Sequence, residues 1–182
     1  MRWTVTQSRY VIRDRWLSVR ADSCRMPGGR VVEPYYVLEY PDWVNVVAFT
    51  ASSEVVLVRQ YRHGIGRTIL ELPCGTVDPQ DVSPLEAARR ELLEETGYTS
   101  DNFRQCGVLS ANPATHTNRT HCFFATDCRK IAEPTPGESE QVEVSLQPMS
   151  VLLNLARRGE LLQSLHVAAV FLALLELGHL HD

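Results

Sequence analysis

The sequence predicts an α/β fold: a mixed β-sheet with helices on its faces, preceded by a small antiparallel sheet. Three observations carry this reading. β-branched and aromatic segments crowd the chain as far as Leu72, a strongly punctuated helix follows, and further strands then give way to two apolar helical segments. The order strands, helix, strands, helices suits a layered sandwich and not a regular βαβ array.

Strands are expected at Tyr10–Ile12, Trp16–Val19 and Val31–Tyr40, with Pro27-Gly28-Gly29-Arg30 as a hairpin turn. Two more run from Trp43 to Thr50 and from Glu54 to Tyr61, joined by the polar Ala51-Ser52-Ser53, and a short one covers Thr68–Leu72. Pro73-Cys74-Gly75 reads as a loop. Ser83 is placed as an N-cap, Pro84 suits the first helical position, Glu86 completes a capping box and Gly97 suits the left-handed exit, so a helix is expected over 84–96. Strands near 103–109, 121–126 and 141–147 follow, the last after a Pro/Gly-rich loop at 133–140, and helices near 149–158 and 164–177 close the chain. Residues 1–42 are expected to form the small N-terminal sheet and 43–182 the main domain.

The 182 residues are 44% hydrophobic, enough for a well-buried core. A net charge of −4 argues against a general nucleic-acid binder, which needs a basic face. Cysteines stand at 24, 74, 106, 122 and 128 with no CxxC pair, which fits a reducing cytoplasm and neither a disulfide framework nor a zinc site. No secretory leader is expected at the N-terminus, and Leu165–Leu177 is too short for a membrane span and carries Glu176.

The helix at 84–96 opposes its own stability. Leu85, Ala88, Leu92 and Thr96 share the stripe that faces a core, and Glu91, Glu94 and Glu95 fall in an adjacent wedge roughly 100° wide. Glu91 makes like-charge pairs with both others, each costing on the order of 0.2–0.5 kcal/mol. All three also sit toward the C-terminal end, where the helix dipole disfavours anions. A hard divalent cation, Mg²⁺ or Mn²⁺, reverses both penalties. On its own, such an acidic run is more often a solvated helix face.

The surroundings decide between the two readings. Gly75, then Arg90-Glu91-Leu92-Leu93-Glu94-Glu95-Thr96-Gly97-Tyr98, closely resembles the Nudix box, GX5EX7REUXEEXGU, where U is a bulky apolar residue. The C-terminal half matches at every fixed position. One departure stands out: the family places its Gly fourteen residues before the Arg, whereas Gly75 is fifteen before Arg90. This reads as a one-residue insertion, with Asp81 standing in for the family's first Glu.

The resemblance implies a Nudix-type α/β/α sandwich and a metal-dependent pyrophosphohydrolase. By position, Glu91 and Glu95 are implied as main metal ligands, with Glu94 sharing a metal and taking part in catalysis. The backbone carbonyl of Cys74 matches a further ligand position, and Arg90 is implied to orient the glutamates. Gln60-Tyr61-Arg62-His63 and Ile69-Leu70-Glu71-Leu72-Pro73-Cys74-Gly75 look like the ADP-ribose and nucleotide-sugar pyrophosphatase branch, as does the N-terminal extension, which in that branch pairs with a second subunit. A homodimer acting on a small nucleoside diphosphate derivative, with no nucleic acid or membrane partner, is therefore expected.

In that branch a Glu after the central sheet acts as general base; Glu138 and Glu140 are the candidates here, and Glu143 is expected in the strand. Arg59, Arg62 and Arg67 would supply counter-charge for a diphosphate in a net-acidic protein. Trp16 lies where related dimers stack an aromatic on the base. The polar segment Asn112–His121 has the length and content of a substrate-facing loop but departs from the Gly-containing version of ADP-ribose enzymes, which leaves another nucleotide sugar or dinucleotide open. His116 and His121 lack metal-ligand spacing. Two alternatives remain at this point: a non-catalytic nucleotide-sugar sensor on the same fold, and a nucleoside triphosphate sanitiser or isomerase of the superfamily.

Overall fold

A computed structural model of the chain describes residues 2–135, 137 and 141–180; Glu138 and Glu140 lie outside the described residues. Contacts divide the chain into two units, Met1–Asp42 with Ser110–Arg119, and Trp43–Leu109 with Thr120–Asp182.

The first unit is an antiparallel sheet of β1 (Thr4–Arg13), β2 (Ser18–Arg25) and β3 (Val31–Glu39), in that order. The turn expected at 27–30 forms: Met26 N–H donates to Arg30 O at 2.8 Å, and Gly29 takes φ +84°, which only glycine adopts without strain. Trp16 is not on a strand. Asp14 Oδ1 accepts from the N–H groups of Trp16 (2.7 Å) and Leu17 (2.9 Å), and this side-chain turn competes successfully with strand pairing. The segment 110–119, read in the sequence between two strands of the main domain, bonds to the exit of β3: Leu38 N–H donates to Thr115 O at 2.8 Å and Thr117 N–H to Leu38 O at 3.1 Å.

The second unit is built on an eight-stranded mixed sheet. β4 (Trp43–Thr50) and β5 (Glu54–Arg62) are near-continuous apolar runs, and both are buried on two faces, as such runs require. They are followed by β6 (Arg67–Glu71), β7 (Cys74–Thr76), helix α1 (Pro84–Thr96), β8 (Tyr98–Thr99), β9 (Asn102–Leu109), β10 (Thr120–Lys130), β11 (Val142–Pro148), and helices α2 (Leu152–Arg157) and α3 (Ser164–Glu176). The order is β11-β5-β4-β10-β8, with β6 on β5, β7 on β4 and β9 on β10; among the described residues the strand pair β4–β10 is parallel and the other strand pairs of this sheet are antiparallel. Val44, Val46 and Ala48 of β4 face α1, and Val47 and Phe49 face the layer that holds α2 and α3. Helices thus cover both faces: an α/β/α sandwich.

Three elements differ from the sequence reading. Residues 74–76 form a strand because β5 pairs with β4 only at Ala48↔Val56 and Phe49↔Val55, leaving the first residues of β4 to β7. β10 runs to Lys130 across an irregularity at Asp127, which takes φ +55°. The helix expected over 149–158 begins as a 3₁₀ turn at Met149–Val151 and continues as the short α2.

Candidate active site

Helix α1 has the expected bounds. Ser83 Oγ accepts from Glu86 N–H at 3.3 Å, Pro84 occupies the first turn, and Gly97, at φ +74°, donates its N–H to Leu93 O at 2.8 Å. The capping box is half made: the Glu86 carboxylate accepts from Arg89 at 3.2 Å. Ala88, Leu92 and Thr96 are fully buried on the expected stripe, joined by Ala87.

This burial fixes where the glutamates point. Glu95, only 2% exposed, reaches β7 and accepts the Cys74 N–H on Oε2 at 2.9 Å. Glu91 reaches the next residue of the same strand, and its carboxylate fills the space over Gly75 that a side chain would need. Glu94 is half-exposed and is joined to Glu91 by Arg90, whose Nη1 donates to Glu91 Oε1 (2.9 Å) and Glu94 Oε2 (3.0 Å).

Arg90 also grips the loop ahead of the helix. Its Nε and Nη2 form a fork on Asp81, at 3.2 and 3.0 Å, and Nη2 donates to Thr76 O at 3.0 Å. The extra residue between Gly75 and Arg90 is accommodated with Asp81 on the guanidinium, and the Asp81 carboxylate also accepts Asp78 N–H at 2.8 Å. The Arg90 bonds outweigh desolvation and hold the Asp81 carboxyl below its ordinary value.

Behind β7 lies a group the sequence reading did not single out. Glu71 is 2% exposed on β6 and accepts from Arg62 Nε at 2.7 Å, while Arg62 Nη2 approaches Cys74 Sγ at 3.5 Å. Burial raises the Glu71 carboxyl despite this partner. A charge inside the apolar run Ile69-Leu70-Glu71-Leu72 was the available signal. Of the three candidate arginines, only Arg62 belongs to this cluster. Arg67 is its cross-strand partner in the β5–β6 hairpin, and Arg59, three residues back, pairs in register with Leu70 and Glu143; both are exposed. The Cys74 thiol is pushed well above its ordinary value by burial and then by Glu95, so it stays protonated and unreactive.

The donor set suits a hard cation. Two carboxylates from successive turns of α1 meet adjacent residues of one strand, with a third tied to them through Arg90. Among the described residues no three acidic, histidine or cysteine side chains close into a cage. Mg²⁺ does not need one, because it is held by one or two carboxylates together with water and substrate phosphate.

Comparison with known proteins adds the family. Residues 39–165 match the model of the NUDIX domain, and residues 3–38 match that of the nucleoside diphosphate sugar hydrolase N-terminal domain. An ADP-ribose pyrophosphatase of Mycobacterium tuberculosis is 30% identical over 154 residues, 84% of this chain and 74% of that protein. An ADP-ribose pyrophosphatase of Bacillus subtilis is 28% identical over 145 residues, 79% of this chain and 77% of that one. The crystal structure of an ADP compounds hydrolase, 24% identical, superposes with a TM-score of 0.85 over 99% of this chain and 98% of its own. The chain belongs to the Nudix family, as a hydrolase of nucleoside diphosphates linked to a second group.

Proposed function

We propose that the protein hydrolyses the diphosphate of ADP-ribose or a nucleotide sugar, yielding a nucleoside monophosphate and a sugar phosphate, with Mg²⁺ or Mn²⁺ held by Glu91, Glu95, Glu94 and the Cys74 carbonyl. The observation that carries this reading is the meeting of Glu91 and Glu95 on adjacent residues of β7. Bound there, a divalent cation neutralises diphosphate charge and lowers the pKa of water.

The chain's own residues do the rest. Arg90, forked on Asp81, holds Glu91 and Glu94 in register. Glu138 or Glu140 takes the proton of the attacking water. Thr135 N–H donates to Glu94 O at 2.7 Å, which anchors the segment leading to these acids at the end of α1. Arg62, Arg59 and Arg67 meet substrate phosphates or hydroxyls, Arg62 from its seat on Glu71.

The protein acts as a cytoplasmic homodimer through its first unit. Every residue of β1 is exposed, including Val5, Tyr10, Val11 and Ile12, and an apolar edge strand is an association surface. Trp16, 69% exposed with Arg15 stacked on it at 4.3 Å, is offered to a nucleobase. Among the described residues no helix is long and apolar enough to cross a membrane.

The test is Mg²⁺-dependent hydrolysis of a panel of ADP-ribose, ADP-glucose, GDP-mannose, a diadenosine polyphosphate, NADH and a nucleoside triphosphate, with product identification and light scattering. Turnover of a diphosphate to a monophosphate pair by a dimer is expected. Preference for the triphosphate, or a monomer with full activity, contradicts the reading.

A further inference from the structure

The backbone from Leu70 to Thr76 is fixed almost bond by bond. Leu70 bridges to the buried Leu161, Pro73 O accepts from Val46 N–H at 3.0 Å, Cys74 N–H is held by Glu95, and Cys74–Thr76 pair with β4. Leu72 lies just past the end of β6. Its N–H donates to Nδ1 of His166, at 3.3 Å, from a residue 94 positions away on α3. His166 is 3% exposed.

We propose that His166 is a positioning residue for the metal-binding strand: as hydrogen-bond acceptor for Leu72 N–H, it fixes the turn Leu72-Pro73-Cys74 that presents the Cys74 carbonyl and sets Gly75 beneath Glu91. This rests on the reading of Glu91, Glu95 and Cys74 given above. Three features support it. An imidazole can accept at Nδ1 only in its neutral form, with the proton on Nε2. Burial, and then the nearby Arg62 guanidinium, push the His166 pKa down to about 3, so that form holds throughout the working range. Pro73 has no N–H, so Leu72 N–H and Pro73 O are the polar tethers of the turn immediately before Cys74. A buried N–H that loses its acceptor is costly, and the turn would shift to recover one.

Three variants of the full-length protein separate positioning from mere packing. His166→Asn carries its amide oxygen near the Nδ1 position. His166→Gln carries it about one bond further out. His166→Leu fills the space with no acceptor. The measurements are Mg²⁺ affinity by calorimetry, kcat and KM on the substrate found active, and amide exchange at Leu72 and Cys74. The Gln and Leu variants are expected to show faster exchange at these two amides. Their Mg²⁺ affinity and kcat should each fall by about tenfold, with KM for the nucleotide little changed. The Asn variant should recover to within about threefold of wild type. Wild-type Mg²⁺ affinity in a folded Gln or Leu variant overturns the proposal, as does equal loss in all three. If the Leu variant does not fold, the Asn–Gln contrast decides alone. A wild-type protein with no metal-dependent turnover overturns the site reading and this proposal together, and shows before any variant is made.

Discussion

The carboxylate of Glu91 stands in the space above Gly75: a β-carbon on residue 75 would lie 2.1 Å from its carboxyl carbon. No van der Waals contact permits that approach, so glycine here is a condition of where Glu91 sits. The colliding atoms are the far end of a flexible side chain, which can swing away at little cost to the fold.

Gly75→Ala is therefore expected to leave unfolding free energy within about 1 kcal/mol of wild type while Mg²⁺ affinity and turnover each fall by about tenfold or more. Denaturant titration and calorimetry check this. Wild-type turnover in Gly75→Ala would show that the Glu91 carboxylate works elsewhere.

Asp81→Asn removes one charge from the fork on Arg90 and is expected to cost about 1–3 kcal/mol of stability, with weaker activity because Arg90 no longer orients Glu91 and Glu94. The Asp81 carboxyl is held below its ordinary 3.8, so its contribution is complete above that value and is lost only as pH falls below it. Melting curves at pH 7 for both proteins test the first statement. No change in melting temperature or activity contradicts it.

How far the sequence reached depended on the range of the interactions. Helix α1 was legible to the residue because Ser83, Pro84 and Gly97 act within one turn of its ends, and β4 and β5 because burial on two faces leaves an apolar run. Trp16 was misplaced because one side chain, Asp14, bends the strand that composition favours. The strand at 74–76 was missed because it exists only where β5 leaves the edge of β4. The Arg62–Glu71 ion pair and the His166–Leu72 bond join positions that no local pattern relates.

His166 also predicts an acid response. Its folded pKa, about 3, lies below the ordinary 6.5, so the unfolded chain takes up a proton that the folded protein refuses. The contribution is fully present above pH 6.5 and is lost as pH falls from there toward 3, with a slope approaching about 1.4 kcal/mol per pH unit. Urea unfolding at several pH values between 7 and 4 should show a steeper decline for wild type than for His166→Asn. Parallel declines contradict the assignment.

The central claim, that Glu95 and its neighbours hold the metal that drives hydrolysis, is tested most directly by Glu95→Gln. The amide oxygen of glutamine keeps an acceptor for Cys74 N–H, so the fold should remain. Turnover of the nucleoside diphosphate substrate at saturating Mg²⁺ is expected to fall by about a hundredfold or more. A folded Glu95→Gln protein with wild-type activity and an unchanged metal requirement would contradict the account.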